Sequence, residues 1–305
     1  MARIKLVWFP QWFCQNYTLG SSYGSKCPYC PYSFDRASNR LIFDGVLSGS
    51  NRLAPAESVL RFFRENADVI GRFLEISGGE PLLYPHLDRV LGADGVSHGW
   101  QWAITSNTLN TAMIEKVIRS SGGRIDGCIS WTASYHPFSG EDEAFARNVR
   151  LVRAHCGNYL NATVVVSERT MGRLKGAHDF LSSLPFNTVQ LHLDAHGTAD
   201  TESLRQRAAD LIGPVPAYAG APPQGIVCNK NAALIAVGPD GTLYECVTKA
   251  YQNLDPLGTV DSVPRLTDLP ERIEYCDVAC FACCDRVKHA EHVGVRVQVV
   301  PRVTC

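Results

Sequence analysis

Short apolar runs alternate with longer amphipathic stretches through the first two-thirds of the chain. Ile4–Phe9, Arg72–Ser77, Gln101–Thr105, Gly127–Ala133, Ala162–Ser167 and Thr188–Leu193 read as strands. Between them, Pro55–Ala67, Pro85–Leu91, Thr111–Ser120, Glu141–His155, Arg173–Leu184 and Thr201–Leu211 carry helical spacing. Several of these open on a cap or first-turn acid, such as Ser139-Gly-Glu-Asp-Glu and Asp200-Thr-Glu. Six strand–helix units in a row predict an α/β fold with a parallel sheet, curled into a barrel or open. No fixed-period repeat and no low-complexity segment interrupts them.

Alternation within the strands says where polar groups point. In Thr188–Leu193, Val189, Leu191 and Leu193 oppose Gln190, His192 and the following Asp194. In Gly127–Ala133, Ile129, Trp131 and Ala133 oppose Cys128, Ser130 and Thr132, and in Phe73–Ser77, Leu74 and Ile76 oppose Glu75 and Ser77. Parallel strands buried on both faces are nearly all apolar. A polar face on three of them predicts a lumen that holds a polar ligand; the alternative is an open sheet face turned to solvent.

Beyond residue 212 the pattern changes. Gly213-Pro-Val-Pro-Ala-Tyr-Ala-Gly-Ala-Pro-Pro begins a linker that we place at residues 213–227. Ala232–Val237, the turn Gly238-Pro-Asp-Gly241 and Thr242–Cys246 read as a hairpin. The expected organisation is a barrel over 1–212 and a small cysteine-rich hairpin/helix extension over 228–305.

Composition narrows the function classes. The 305 residues carry 29 Lys+Arg against 30 Asp+Glu, which argues against nucleic acid or an anionic membrane as a partner. The start MARIKLVWFPQW breaks at Pro10 too early for a signal peptide, and no apolar run is long enough to span a bilayer, so a cytoplasmic protein is expected. Twelve cysteines are then anomalous. In a reducing compartment they point to metal or redox chemistry rather than to a disulfide scaffold.

Their positions sharpen this. Cys27-Pro-Tyr-Cys30 puts two thiolates on one short loop, and Cys14 lies twelve residues before it, all after the first strand. Three ligands suit an iron–sulfur cluster with one iron left open, whereas zinc would want a fourth. One unit later, Ile76-Ser-Gly-Gly-Glu-Pro81 ends the second strand; its glycines permit close backbone approach and Glu80 can accept from an ammonium group.

Together these residues resemble the radical S-adenosylmethionine (radical SAM) enzymes. The family signature is C-x3-C-x2-C with an aromatic residue before the last cysteine, which Tyr29 matches; the first gap here is twelve residues instead of three. Lengthening a loop fourfold costs only about 1.2 kcal/mol of closure entropy, so cluster geometry survives it. The resemblance makes Cys14, Cys27 and Cys30 the ligands of a SAM-binding [4Fe–4S] cluster. It makes Ser77, Gly78, Gly79 and Glu80 the motif that holds the SAM amino group, adds Ser106 and Asn107 from Thr105-Ser-Asn107, and adds Ser130 and Val166 from the fourth and fifth strands. It implies a partial (β/α)6 TIM-like barrel over residues 1–212, reductive cleavage of SAM to a 5′-deoxyadenosyl radical, and a flavodoxin- or ferredoxin-type electron donor.

The C-terminal part resembles the family's SPASM and twitch extensions, whose opening C-x(9–15)-G-x4-C fits Cys228…Gly241-Thr-Leu-Tyr-Glu-Cys246. The later run, Cys276-Asp-Val-Ala-Cys280-Phe-Ala-Cys283-Cys284, departs from SPASM spacing. One auxiliary [4Fe–4S] cluster is implied, on Cys228, Cys246 and two of Cys276, Cys280, Cys283 and Cys284; a structural zinc site is the alternative.

For the substrate, the polar faces suit a sugar, nucleoside or aminocyclitol, with dehydrogenation, epimerisation or C–C bond formation in specialised-metabolite biosynthesis as the outcome. His192 and Asp194 are candidates for catalysis, with His136 as a proton shuttle past the fourth strand. His136 also reads as a loop histidine that caps backbone, and Cys128 reads either as a hydrogen-atom donor or as an apolar filler. A ribosomal-peptide maturase of the same family and a non-catalytic iron–sulfur or zinc protein are the competing functions.

Overall fold

Six parallel strands follow one another across one sheet in chain order: β1 (Lys5–Trp8), β2 (Phe73–Ile76), β3 (Gln101–Ser106), β4 (Cys128–Tyr135), β5 (Tyr159–Val166) and β6 (Thr188–Leu193). The computed structural model describes residues 4–12, 17–18, 24–25, 53–92, 95, 98–193, 201–213, 226–230, 234–263, 265–269 and 272–276. β1 and β6 do not pair, so the sheet is an open, partial (β/α)6 barrel, as the six-unit pattern predicts. Neighbours in sequence become neighbours in space because each parallel crossover is long enough to carry a helix.

Helices α1 (Ala56–Glu65), α2 (Ala67–Ile70), α3 (Leu87–Leu91), α4 (Thr111–Ser120), α5 (Asp142–His155) and α6 (Met171–Ser182) make those crossovers, and α7 (Thr201–Ile212) follows β6. In α1 the buried residues Ala56, Val59, Leu60, Phe62 and Phe63 recur at three- and four-residue spacing, so one stripe faces the sheet. Against it pack Trp8, Tyr84 and Trp100; the Trp8–Phe63 and Trp8–Tyr84 rings meet edge to face at 5.7 and 5.3 Å. Along β5, Leu160, Ala162, Val164 and Val166 are buried while Asn161, Thr163 and Val165 are only partly so, and β2 and β3 alternate likewise. Across β2–β6 one face of the sheet is therefore the helix-packed core and the other is mostly polar.

One strand departs from strict alternation. Trp102 pairs Cys128 but Ala103 pairs Ser130, so Ile129 is the extra residue of a β-bulge. The bulge turns Cys128 to the core side, where it is fully buried beside Trp102 and Cys156. This corrects the alternation that set Cys128 with Ser130 and Thr132, and burial raises its thiol pKa well above the ordinary value. Cys128 is an apolar filler, away from any lumen chemistry.

Five further strands follow: β7 (Ile226–Lys230), β8 (Leu234–Val237), β9 (Thr242–Tyr244), β10 (Gly258–Thr259) and β11 (Arg272–Cys276). β8 extends the barrel sheet by pairing β1 in parallel, Lys5 with Leu234 through Trp8 with Val237, and β9 and β10 continue it antiparallel. The expected Pro-Asp-Gly turn joins β8 to β9: Gly241 takes φ +83°, and Asp240 Oδ1 accepts from Thr242 N at 3.0 Å. Val7, Phe9, Leu234, Ala236 and Tyr244 form a second apolar cluster with Ala250 of α8 (Val247–Gln252), on the face of β1 opposite Leu6 and Trp8. β7 and β11 pair in a separate two-stranded ribbon. Among the described residues no helix is long and apolar enough to cross a membrane.

Candidate active site at the carboxyl edge of the sheet

The Ser77–Glu80 turn leaves the C-terminal end of β2 and is tied back to β1. Ser77 N donates to Trp8 O at 3.1 Å and Gly79 N to Gln11 O at 2.9 Å. Gly78 takes φ +127°, and a Cβ there would stand 2.6 Å from Gln11 O, so only glycine allows this approach. Gln11 precedes Cys14 by three residues, so the turn is fastened to the segment that leads into the cysteine loop. Cys14, Cys27, Tyr29 and Cys30 lie outside the described residues.

Glu80 is the centre of the arrangement. Its carboxylate caps the short 3-10 turn Pro81–Leu83, Oε1 accepting from Leu82 N at 3.0 Å. Oε1 also accepts from Ser106 Oγ at 2.7 Å, and Oε2 from Asn107 N at 2.7 Å. Ser106 ends β3 and Asn107 follows it, so the ends of β2 and β3 meet through one carboxylate. Glu80 is 1% exposed, and burial lifts its pKa from 4.5 to about 7 against the lowering effect of Ser106, Asn107 and Leu82. A carboxylate has four acceptor sites and three are used, which leaves one on Oε2. A desolvated carboxylate with one open acceptor site fits an ammonium group, so these residues suit the amino end of SAM.

Other predicted residues lie elsewhere on the sheet. Ser130 pairs Ala103, three positions short of Ser106, and its Oγ accepts from Asn161 Nδ2 at 3.5 Å. Val166 stands at the C-terminal end of β5 but is fully buried on the core side. Neither joins the Glu80 cluster through its side chain. His136 directly follows β4, is half-buried, and its pKa is pushed down to about 4 by burial. His192 pairs Val165 near the end of β6 and its pKa is also lowered by desolvation. Since Tyr135 pairs Val164, His136 is level with Val165 and hence with His192. Two strand spacings, about 10 Å, separate the two backbones. Asp194 lies outside the described residues.

Between the histidines and the middle of the sheet runs a polar belt. Thr105, Thr132, Asn161 and Thr188 form one row across β3–β6, and Ser134, Thr163 and Gln190 form the next. Thr188 Oγ1 donates to Asn161 Oδ1 at 2.9 Å. Below them, Lys5 Nζ pairs with Glu75 Oε2 at 2.7 Å.

The extension gathers some of its cysteines by backbone topology. Tyr244 pairs Ala236, so Cys246 comes level with the start of β8, which the chain reaches from β7. On the β7–β11 ribbon, Cys228 pairs Glu274 and Cys276 pairs Ile226, two register positions apart. Cys246 is buried, and its Sγ accepts from Lys249 N at 3.3 Å. Glu245 and Asp255 flank Lys249 Nζ at 2.5 and 2.8 Å and hold its pKa above the ordinary lysine value. Cys280, Cys283 and Cys284 lie outside the described residues.

Gln11, Thr108 and Asn148 also shape the site, although no motif in the sequence marks them. Only Asn148 had a visible signal: it is a polar residue within the apolar stripe Phe145, Val149 and Val152 of α5.

No family model and no curated protein matches this sequence at a significant level. Solved structures do match the fold. Streptococcus suis SuiB bound to S-adenosylmethionine superposes with a TM-score of 0.53 at 15% identity, over 85% of this chain and 64% of SuiB. SuiB bound to precursor peptide SuiA gives 0.54 at 13%, over 84% of this chain and 62% of SuiB. Native anSMEcpe with bound AdoMet gives 0.54 at 14%, over 86% and 79%. The chain thus spans less than two-thirds of SuiB. It shares with these proteins the open α/β barrel.

Proposed function

We propose that this chain is a radical SAM enzyme that abstracts hydrogen from a small polar metabolite of the sugar, nucleoside or aminocyclitol type. The observation that carries the reading is the buried Glu80 carboxylate, which joins the ends of β2 and β3 and keeps one acceptor site open. The two SAM-bound neighbours support it through their shared fold. SAM and a [4Fe–4S] cluster, when bound, supply the 5′-deoxyadenosyl radical.

The chain's own residues do the rest. Glu80 takes the ammonium end of SAM, with Ser106 and Asn107 holding the carboxylate still. Cys14, Cys27 and Cys30 hold the SAM-binding cluster, and Cys228, Cys246 and two of Cys276, Cys280, Cys283 and Cys284 hold an auxiliary cluster. The belt Thr105, Thr132, Ser134, Asn161, Thr163, Thr188 and Gln190 offers hydroxyl and amide groups without charge, which suits a polyol or nucleoside. His136, neutral at pH 7 with a pKa of about 4, serves as a proton acceptor, and His192 faces it across β5.

A second reading, a peptide maturase, is favoured by two neighbours with bound peptide, SuiB with SuiA and anSMEcpe with Cp18Cys peptide. One experiment separates the two. Anaerobically reconstituted protein is given SAM, dithionite and either nucleoside and aminocyclitol libraries or candidate precursor peptides. Metabolite-stimulated 5′-deoxyadenosine with a matching change in metabolite mass supports the first reading; stimulation by a peptide alone replaces it with the second.

A further inference from the structure

The loop after β3 holds a conformation that its own residues do not favour. Thr108 takes φ +60°, a left-handed region that β-branched side chains avoid, so its surroundings must impose it. Asn148 and Trp131, both fully buried, hold it in place. Asn148 of α5 donates from Nδ2 to Thr108 O at 2.9 Å, and its Oδ1 accepts from Thr111 Oγ1 at 2.8 Å. Trp131 Nε1 donates to Thr108 Oγ1 at 3.1 Å. In this kinked state Thr108 N donates to Ser106 Oγ at 2.9 Å. A hydroxyl that accepts there directs its own proton elsewhere, and the Ser106 proton goes to Glu80 Oε1 at 2.7 Å. Asn107 N, one residue on, points to Glu80 Oε2.

Asn148 thus stands at the head of a chain of contacts that ends on the Glu80 carboxylate, with no contact of its own to that group. An apolar residue at this position of the stripe would pack against Phe145 and Val149 without clamping the loop. We infer that Asn148 is a positioning residue for SAM binding: by locking Thr108 in its left-handed conformation it holds Ser106 and Asn107 against Glu80 and leaves one carboxylate site free for the ligand. The inference rests on the radical SAM reading of this site.

The test is a double-variant cycle on anaerobically reconstituted protein, with the SAM dissociation constant measured by equilibrium dialysis and no turnover needed. Asn148→Ala and the isosteric Asn148→Asp, which keeps the acceptor for Thr111 but loses the donor to Thr108, are each expected to weaken SAM about tenfold. In a Glu80→Gln background the Asn148 change is expected to add no further loss, because its effect passes through Glu80. If Asn148→Ala does not fold, the isosteric variant carries both arms. Variants that bind SAM within twofold of wild type, or losses that multiply in the Glu80→Gln background, overturn the inference while the wild-type protein still binds SAM. Wild-type protein that binds no SAM overturns the underlying reading, and the inference with it.

Discussion

Glu80 carries an unusual burden for one side chain. Its folded pKa of about 7 lies above the ordinary 4.5, with burial as the dominant cause. For an acid raised on folding, stability is fully present below 4.5 and is lost as pH rises through 7. The ligand-free protein is therefore expected to lose up to about 3 kcal/mol across that window, an effect that Glu80→Gln abolishes; thermal melts at pH 5 and 8 for both proteins check it. Binding of an ammonium ligand has the opposite slope, weakening as the carboxyl protonates below pH 7. Gly78 is the second sensitive point. Gly78→Ala sets a Cβ 2.6 Å from the Gln11 carbonyl at φ +127°. It is expected to cost about 1–3 kcal/mol in urea unfolding and to reduce SAM binding sharply. A Gly78→Ala protein that binds SAM normally would contradict the close fastening of this turn to β1.

Hydrophobic patterning marks some elements of this chain and hides others, for physical reasons. The apolar runs mark β1, β2, β3 and β6 close to their observed bounds, since Pro10 ends the first, Gly71 and Ser77 flank the second, Gly99 and Ser106 flank the third, and Asn187 and Asp194 flank the last. β5 begins at Tyr159 rather than Ala162, since the polar Asn161 interrupts the apolar run after Leu160. The bulge at Ile129 was invisible, because alternation assumes one residue per rung and the bulge supplies two. The pairing of β8 with β1 joins residues more than two hundred positions apart, for which hydrophobic patterning carries no signal. A similar long-range tie is Asn66, between α1 and α2: Nδ2 donates to Phe62 O at 2.8 Å, and Oδ1 accepts from Leu266 N at 2.7 Å. Asn66→Leu strands the buried Leu266 amide and is expected to cost about 1–3 kcal/mol in chemical denaturation, loosening the C-terminal segment from α1. An unchanged unfolding midpoint would show that this tie contributes nothing.

At the scale of the whole molecule, one sheet runs from the barrel into the C-terminal hairpin. β8 lies on β1 with Leu234 beside Lys5, so Cys246 stands at the amino end of the barrel strands while Glu80 stands at the carboxyl end. An auxiliary cluster on Cys246, as proposed, is therefore remote from Glu80. Reconstituted protein is expected to hold about eight irons per chain, and Cys246→Ser about four, with SAM binding retained because the Glu80 site is remote. Equal iron in both proteins, or zinc in its place, would contradict the auxiliary cluster. The chemistry of the first site was legible because Gly78, Gly79 and Glu80 are contiguous. The clamp through Thr108 and Asn148 was not, because those residues meet only when α5 packs on β3.

Cleavage of SAM itself decides whether this chain is a radical SAM enzyme. Protein reconstituted without oxygen is incubated with SAM and dithionite, beside a Cys27→Ala/Cys30→Ala control, and 5′-deoxyadenosine is quantified. 5′-Deoxyadenosine is expected from the wild type, and none above background from the control. Iron-loaded wild type that makes no more than the control, even with metabolite and peptide candidates present, would contradict the enzyme and leave a non-catalytic iron–sulfur protein.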